Sequence, residues 1–233
     1  MKIKKKILES FVKESSLTGD HALLEVKLDF GEKGLKMNAI VEGNSIFVQA
    51  QIPASAFEEY SEIGKIGIIN YSELNKIIGA LNDDITILKE GNVLVLKGGR
   101  KIEIPLADES IIKDVDKIPK LEYSTGFVMK KEAFDDIEKN TTFAMNKDDS
   151  VNINFNGNGG KLVLRYGTKY KFEDTLEVPE IKEAITADFG MPLINAVHNL
   201  TGDLNVQIKS NFPITIVKKT DMYAIKIIVA PRT

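Results

Sequence analysis

Short runs in which apolar and polar side chains alternate fill most of the chain. Residues 34–40 and 45–52 read as two strands around the turn Glu42-Gly43-Asn44, because a half-buried strand shows one face to the core and the other to water. Residues 85–88, 93–96, 102–104, 151–155, 162–164, 204–208, 214–217 and 223–229 have the same character. Their close, turn-rich spacing predicts antiparallel sheets. Helical spacing is confined to four stretches. These are 8–15, 72–81 with Ser72 as its N-cap, 131–143 with Ala133, Phe134 and Ile137 on one face, and 191–200 with Pro192 in its first turn. A hydroxyl before the apolar run and a proline at the start both suit a helix N-terminus.

The pattern repeats within the chain. Leu74, Ile77, Ile78, Leu81 and Asp84 recur as Leu193, Ala196, Val197, Leu200 and Asp203. Each helix is followed by two strands around a polar turn, Glu90-Gly91-Asn92 or Lys209-Ser210-Asn211. Each half closes on a strand and a proline, at Ile104-Pro105 and Val229-Ala230-Pro231. The expectation is an α+β chain of two duplicated helix-plus-antiparallel-sheet domains, residues 1–107 and 121–233. Residues 108–120, charged and closed by Pro119, read as the connector.

Composition narrows the chemistry. The 233 residues carry a formal net charge of −3, which speaks against a DNA-binding domain of the ordinary basic kind but leaves room for a local basic surface. Without cysteine there are no disulfides, thiolate metal sites or cysteine nucleophiles. No apolar run reaches the roughly 20 residues of a membrane span. The basic start, Met1 to Ile7, has no apolar stretch behind it, so an intracellular place is expected.

Motifs for catalysis are missing. The segment from Phe155 to Gly160 lacks the lysine-serine or lysine-threonine pair of a phosphate loop and reads as a hairpin turn. His21 and His198 have no metal-ligand spacing. His21 is expected to be a solvated residue near a turn. The pairs Asp83-Asp84, Asp135-Asp136 and Asp148-Asp149 read as surface charge and capping. No metal, no cofactor and no catalytic residue is expected.

Several segments, in order, resemble the proliferating cell nuclear antigen (PCNA) family of sliding clamps, archaeal type. They are Gly34-Leu35-Lys36-Met37-Asn38-Ala39, the run from Ile52-Pro53 to Phe57, Ile66-Gly67-Ile68, Ser72 to Ile77, Ile104-Pro105-Leu106, and Val229-Ala230-Pro231-Arg232. Residues 40–45, Ile-Val-Glu-Gly-Asn-Ser, depart from the family pattern.

The resemblance implies the processivity-clamp fold and a trimeric ring that slides on duplex DNA without reading its sequence. It implies Lys13, Lys76, Lys139 and His198 on the DNA-facing side. The third helix, with Lys130, carries three lysines against four acids, a less basic lining than a typical member's. Ring closure is expected between Lys101, Ile102 and Ile104 of one subunit and Lys161, Leu162 and Leu164 of the next. DNA polymerase, clamp loader and other replication or repair proteins are expected to bring a peptide to Ile40, Asn44, Ser45, Phe47, Ile111, Ile112, Val115, Ala230 and Pro231. The connector isoleucines have a second reading, packing the linker onto a sheet. Two alternatives to a homotrimeric clamp stay open. One is a β-rich interaction protein that does not act on DNA. The other is one subunit of a ring of unlike subunits.

Overall fold

A computed structural model describes the chain except residues 42, 44, 83, 114, 116–119, 143–150, 168–169 and 233. One order of elements, a strand and a helix, four strands and a helix, then three strands, is run through twice. The first pass is β1 (Lys2–Ile3), α1 (Lys5–Ser15), β2 (Glu25–Gly31), β3 (Gly34–Ile40), β4 (Ile46–Pro53), β5 (Gly64–Ile69), α2 (Tyr71–Gly79), β6 (Ile85–Glu90), β7 (Val93–Lys97) and β8 (Lys101–Pro105). The second is β9 (Thr125–Lys130), α3 (Lys131–Thr142), β10 (Asn152–Asn158), β11 (Lys161–Gly167), β12 (Phe172–Glu177), β13 (Ile185–Phe189), α4 (Met191–Val197), β14 (Asp203–Ile208), β15 (Ile214–Lys219) and β16 (Ala224–Val229).

Strand neighbours repeat as well. The orders β1-β6-β7-β8 and β5-β2-β3-β4 recur as β9-β14-β15-β16 and β13-β10-β11-β12, with antiparallel pairing in both halves. Two compact units emerge. One holds Met1–Val41, Phe47–Ile118 and Lys219–Lys226, and the other Glu42–Ile46, Pro119–Lys218 and Ile227–Thr233.

In the first unit a helix pair covers both sheets. Leu8, Phe11 and Val12 of α1 and Leu74 and Ile78 of α2 meet Leu28, Phe30 and Leu35 of β2–β3 and Ile87, Leu94 and Leu96 of β6–β7 around a void of about 20 Å³. The spacing 8, 11, 12, 15 puts one stripe of α1 on the core. Lys5 Nζ donates to the carbonyls of Gly79 (2.8 Å) and Leu81 (2.6 Å), closing the C-terminus of α2 with a cation where the helix dipole favours one. The Tyr71 hydroxyl, fully buried, shares a 2.7 Å hydrogen bond with Ser15, and burial pushes its pKa up. Tyr223 donates to the buried Glu14 carboxylate at 3.0 Å; burial first, and then that carboxylate, raises its pKa also.

In the second unit, Phe134 and Ile137 of α3 and Leu193, Ala196 and Val197 of α4 are buried, as are Ile153, Phe155, Leu162 and Leu164 of β10–β11. Phe155 meets Phe189 edge to face at 5.5 Å. Asn158 pairs with Lys161 across Gly159 (φ 56°) and Gly160 (φ 81°). Two positive φ angles in succession are what a two-residue hairpin turn demands, so the glycines serve the turn.

Some expectations need correction. Ser72 does not cap α2: the N-cap is Asn70, in the left-handed region at φ 58°. The Tyr71 and Ser72 N–H groups donate to the Leu24 and Leu23 carbonyls at 3.0 and 3.2 Å, so those donors are satisfied without the Ser72 hydroxyl. α1 begins three residues before the apolar periodicity, and α4 ends at Val197. His21 is half-buried in a single 3₁₀ turn, and burial lowers its pKa. Glu42, Asn44, Asp83, Phe143, Asp148, Asp149 and Pro119 lie outside the described residues.

Candidate functional site

Each unit presents a polar helix face. On α1, Lys6 and Lys13 are exposed one heptad apart, and on α2, Lys76 is exposed beside Glu73. Lys6 was not among the expected residues, although a spacing of seven places it on the same face as Lys13. The helices of the second unit differ. Lys139 is exposed on α3 together with Glu132, Asp135 and Asp136. Lys131 is buried and paired with Asp135. His198, exposed just after α4, has its Nδ1 at 2.6 Å from Glu138 Oε1. All four expected residues therefore reach solvent, and the cationic character is concentrated on the first unit's helices.

The expected ring-closing strands differ in their place in the sheets. Among the described residues β8 has only β7 beside it, so Lys101, Ile102 and Ile104 lie on a sheet edge. Lys101 pairs with Glu103 at 2.5 Å, and Ile104 is buried. β11 is different. It is hydrogen-bonded on both sides, to β10 from Lys161 to Gly167 and to β12 from Lys161 to Tyr166. Lys161, Leu162 and Leu164 therefore have no free backbone edge, and Leu162 and Leu164 point into the core. The edge belongs to β12, Phe172–Glu177, the next strand out. On its core side Tyr166 stacks on Phe172 at 5.6 Å and donates to Asp174. Burial, then Asp174, pushes the Tyr166 pKa up to about 12.

The start of the connector is fastened to the first unit's own sheet. Ala107 N–H donates to the Gly67 carbonyl (3.0 Å), and Asn38 Nδ2 donates to the Val115 carbonyl (3.1 Å). Gln49 in turn donates to Asn38 Oδ1 at 3.2 Å. Asp108 Oδ1 accepts the Ser110 N–H (2.9 Å), which lowers the Asp108 pKa. The two connector isoleucines part ways. Ile112 is only 5% exposed because its side chain lies over Gly67: a Cβ there would stand 2.8 Å from Ile112 Cδ1. Ile111 is 64% exposed. Ile112 packs the linker down, whereas Ile111 is open to a partner.

Phe47 is buried and pairs in register with the half-buried Ile40. In the second unit the Ser45 carbonyl accepts the Ala230 N–H at 2.9 Å. Pro231 is half-buried beside an Arg232 held by Asp188 (2.8 Å) and Val151 (2.7 Å). Among the described residues no group of three or more histidine or acidic side chains is placed to hold a metal. No helix among them is long and apolar enough to cross a membrane.

No family model matches the chain. A curated relative, the DNA polymerase sliding clamp of Thermofilum pendens, is 22% identical over 200 residues, covering 78% of each chain. Solved structures match the whole length. The complex of the C-terminal region of FEN-1 bound to A. fulgidus PCNA aligns with TM-score 0.80 and 19% identity, over 100% of this chain and 97% of that one. PCNA from Entamoeba histolytica aligns with TM-score 0.82 and 18% identity, over 100% and 98%. The PCNA2–PCNA3 complex from Sulfolobus tokodaii aligns with TM-score 0.79 and 18% identity, over 100% and 99%. The fold is that of the sliding clamps.

Proposed function

With the clamp fold as premise, we propose that this chain is a PCNA-type sliding clamp subunit that encircles duplex DNA and tethers DNA polymerase and other replication and repair proteins to it. The observation that carries this reading is the likeness to clamp structures along the entire chain, TM-scores 0.79–0.82. Three subunits close head to tail, with β8 of one adding to β12 of the next. That pairing extends two antiparallel sheets and covers two edges that would otherwise invite aggregation. The chain binds and does not catalyse, and it acts inside the cell, where DNA is.

A ring holds DNA by topology, so the helices need only weak, sequence-independent attraction. Lys6, Lys13 and Lys76 supply it, with Lys139 and His198 set among acids. Such contact to phosphates weakens steeply with salt. Partner peptides dock on the first unit through apolar side chains, Ile40 and above all the exposed Ile111.

The test is retention on circular DNA. A clamp loader places the protein on a nicked plasmid, and the plasmid is then cut. Release on linearisation, at a salt concentration that leaves it on the circle, is the expected outcome. Equal retention on circle and line would refute encirclement. A ring of unlike subunits is the second reading, favoured by the match to a complex of PCNA2 with PCNA3. Light scattering separates the two: the homotrimer has about three times the 25.9 kDa chain mass.

A further inference from the structure

The sheet face of the second unit that turns away from α3 and α4 holds a cleft of about 690 Å³. Its floor is a row of carboxamides. Asn152, Asn154 and Asn156 alternate along β10 with the buried Ile153 and Phe155, so all three point to the same, outer side. Gly167 stands opposite Asn152 in register. It has φ +107°, and a Cβ there would lie 2.1 Å from the Tyr170 carbonyl oxygen, so the position stays bare and the cleft keeps its depth.

The flanks are charged but balanced. Arg165 Nε donates to Glu173 Oε2 at 2.7 Å on one side. Asp188 Oδ1 accepts from Asn154 Nδ2 at 2.9 Å on the other, which orients that carboxamide. With Lys171 at the end, two cations face two anions among the described residues that line the cleft. A neutral lining of this kind favours neither a polyanion nor a polycation.

We propose that this cleft binds an extended, uncharged peptide segment of a partner protein lying along β10. A carboxamide offers a donor and an acceptor together, as a peptide group does. Alternate residues of a strand lie about 6.7 Å apart, and an extended peptide repeats its backbone groups at the same interval. Three asparagines in a row therefore match three successive peptide repeats without any demand on side-chain sequence. The site lies on the face opposite the helices.

The test is titration of the full-length, ¹⁵N-labelled protein with an acetylated, amidated eight-residue peptide of alternating serine and valine. Asn side-chain NH₂ signals are followed by NMR, with an eight-nucleotide oligo-dT in parallel. Saturable shifts at Asn152, Asn154 and Asn156 with the peptide are expected, together with at least tenfold weaker binding by N152T/N156T. Threonine suits an exposed strand position, so an unchanged thermal midpoint shows that fold is not the cause. The proposal is overturned if the three signals do not move, if oligo-dT moves them at lower concentration than the peptide, or if the double variant binds as well as the native chain.

Discussion

Replacing Gly67 by alanine should lift the connector from its sheet. The new methyl carbon would stand 2.8 Å from Ile112 Cδ1, 2.9 Å from the Ala107 carbonyl oxygen and 3.3 Å from Ala107 Cβ. Two of these neighbours belong to the segment's own attachment point, so the segment must move. Releasing Ile112, now 5% exposed, forfeits roughly 1.5–3 kcal/mol of apolar burial. The Ala107–Gly67 hydrogen bond adds about 0.5–1.5 kcal/mol. A total near 2–4 kcal/mol is roughly a 30- to 700-fold rise in the detached population, at 1.4 kcal/mol per factor of ten.

Native-state trypsin cleavage after Lys113 reads that population directly when detachment is fast relative to cleavage. Gly126→Ala is the control, because a Cβ there meets nothing closer than 3.7 Å. Cleavage at the native rate in Gly67→Ala would refute the assignment of Ile112 as the residue that holds the connector down.

The neighbouring isoleucines should behave oppositely. Ile112→Ala should lower stability in urea by about 2–4 kcal/mol, while Ile111→Asp, at a 64% exposed position, should change stability by less than about 0.5 kcal/mol yet abolish calorimetric heat with a partner-type peptide. If the proposed trimer forms through β8 and β12, proline at Ile102 or at Thr175 should turn it into a 25.9 kDa species by light scattering. Tyr223→Phe leaves the buried Glu14 without its 3.0 Å donor and should cost about 1–3 kcal/mol by urea unfolding.

Stability should also fall in alkali. The folded Tyr166 pKa of about 12 exceeds the ordinary value near 10, so its contribution is full below pH 10 and is lost as pH climbs towards 12. Tyr166→Phe should flatten that limb of the urea-midpoint profile.

Much of this was written into the chain. The four helices, the hairpins and the duplication follow from apolar spacing and turn residues, because each reflects a local period. β2 was also legible, in the alternation Val26, Leu28, Phe30, though it was not among the strands expected. β12 was not legible. Its residues 173–175 are all exposed, since a sheet edge needs no apolar signature.

What the sequence determined by itself is the class of protein: two copies of one helix-and-sheet unit whose ordered motifs resemble the sliding clamps. Tertiary structure decided which strands are edges and which connector residue is open. The resemblance implied a subunit edge at β11, yet β11 is interior, because a strand's position depends on hydrogen-bond partners distant in sequence. Ile111 and Ile112 are the same residue side by side. Only the bare backbone at Gly67, more than forty positions away, buries one and leaves the other in water.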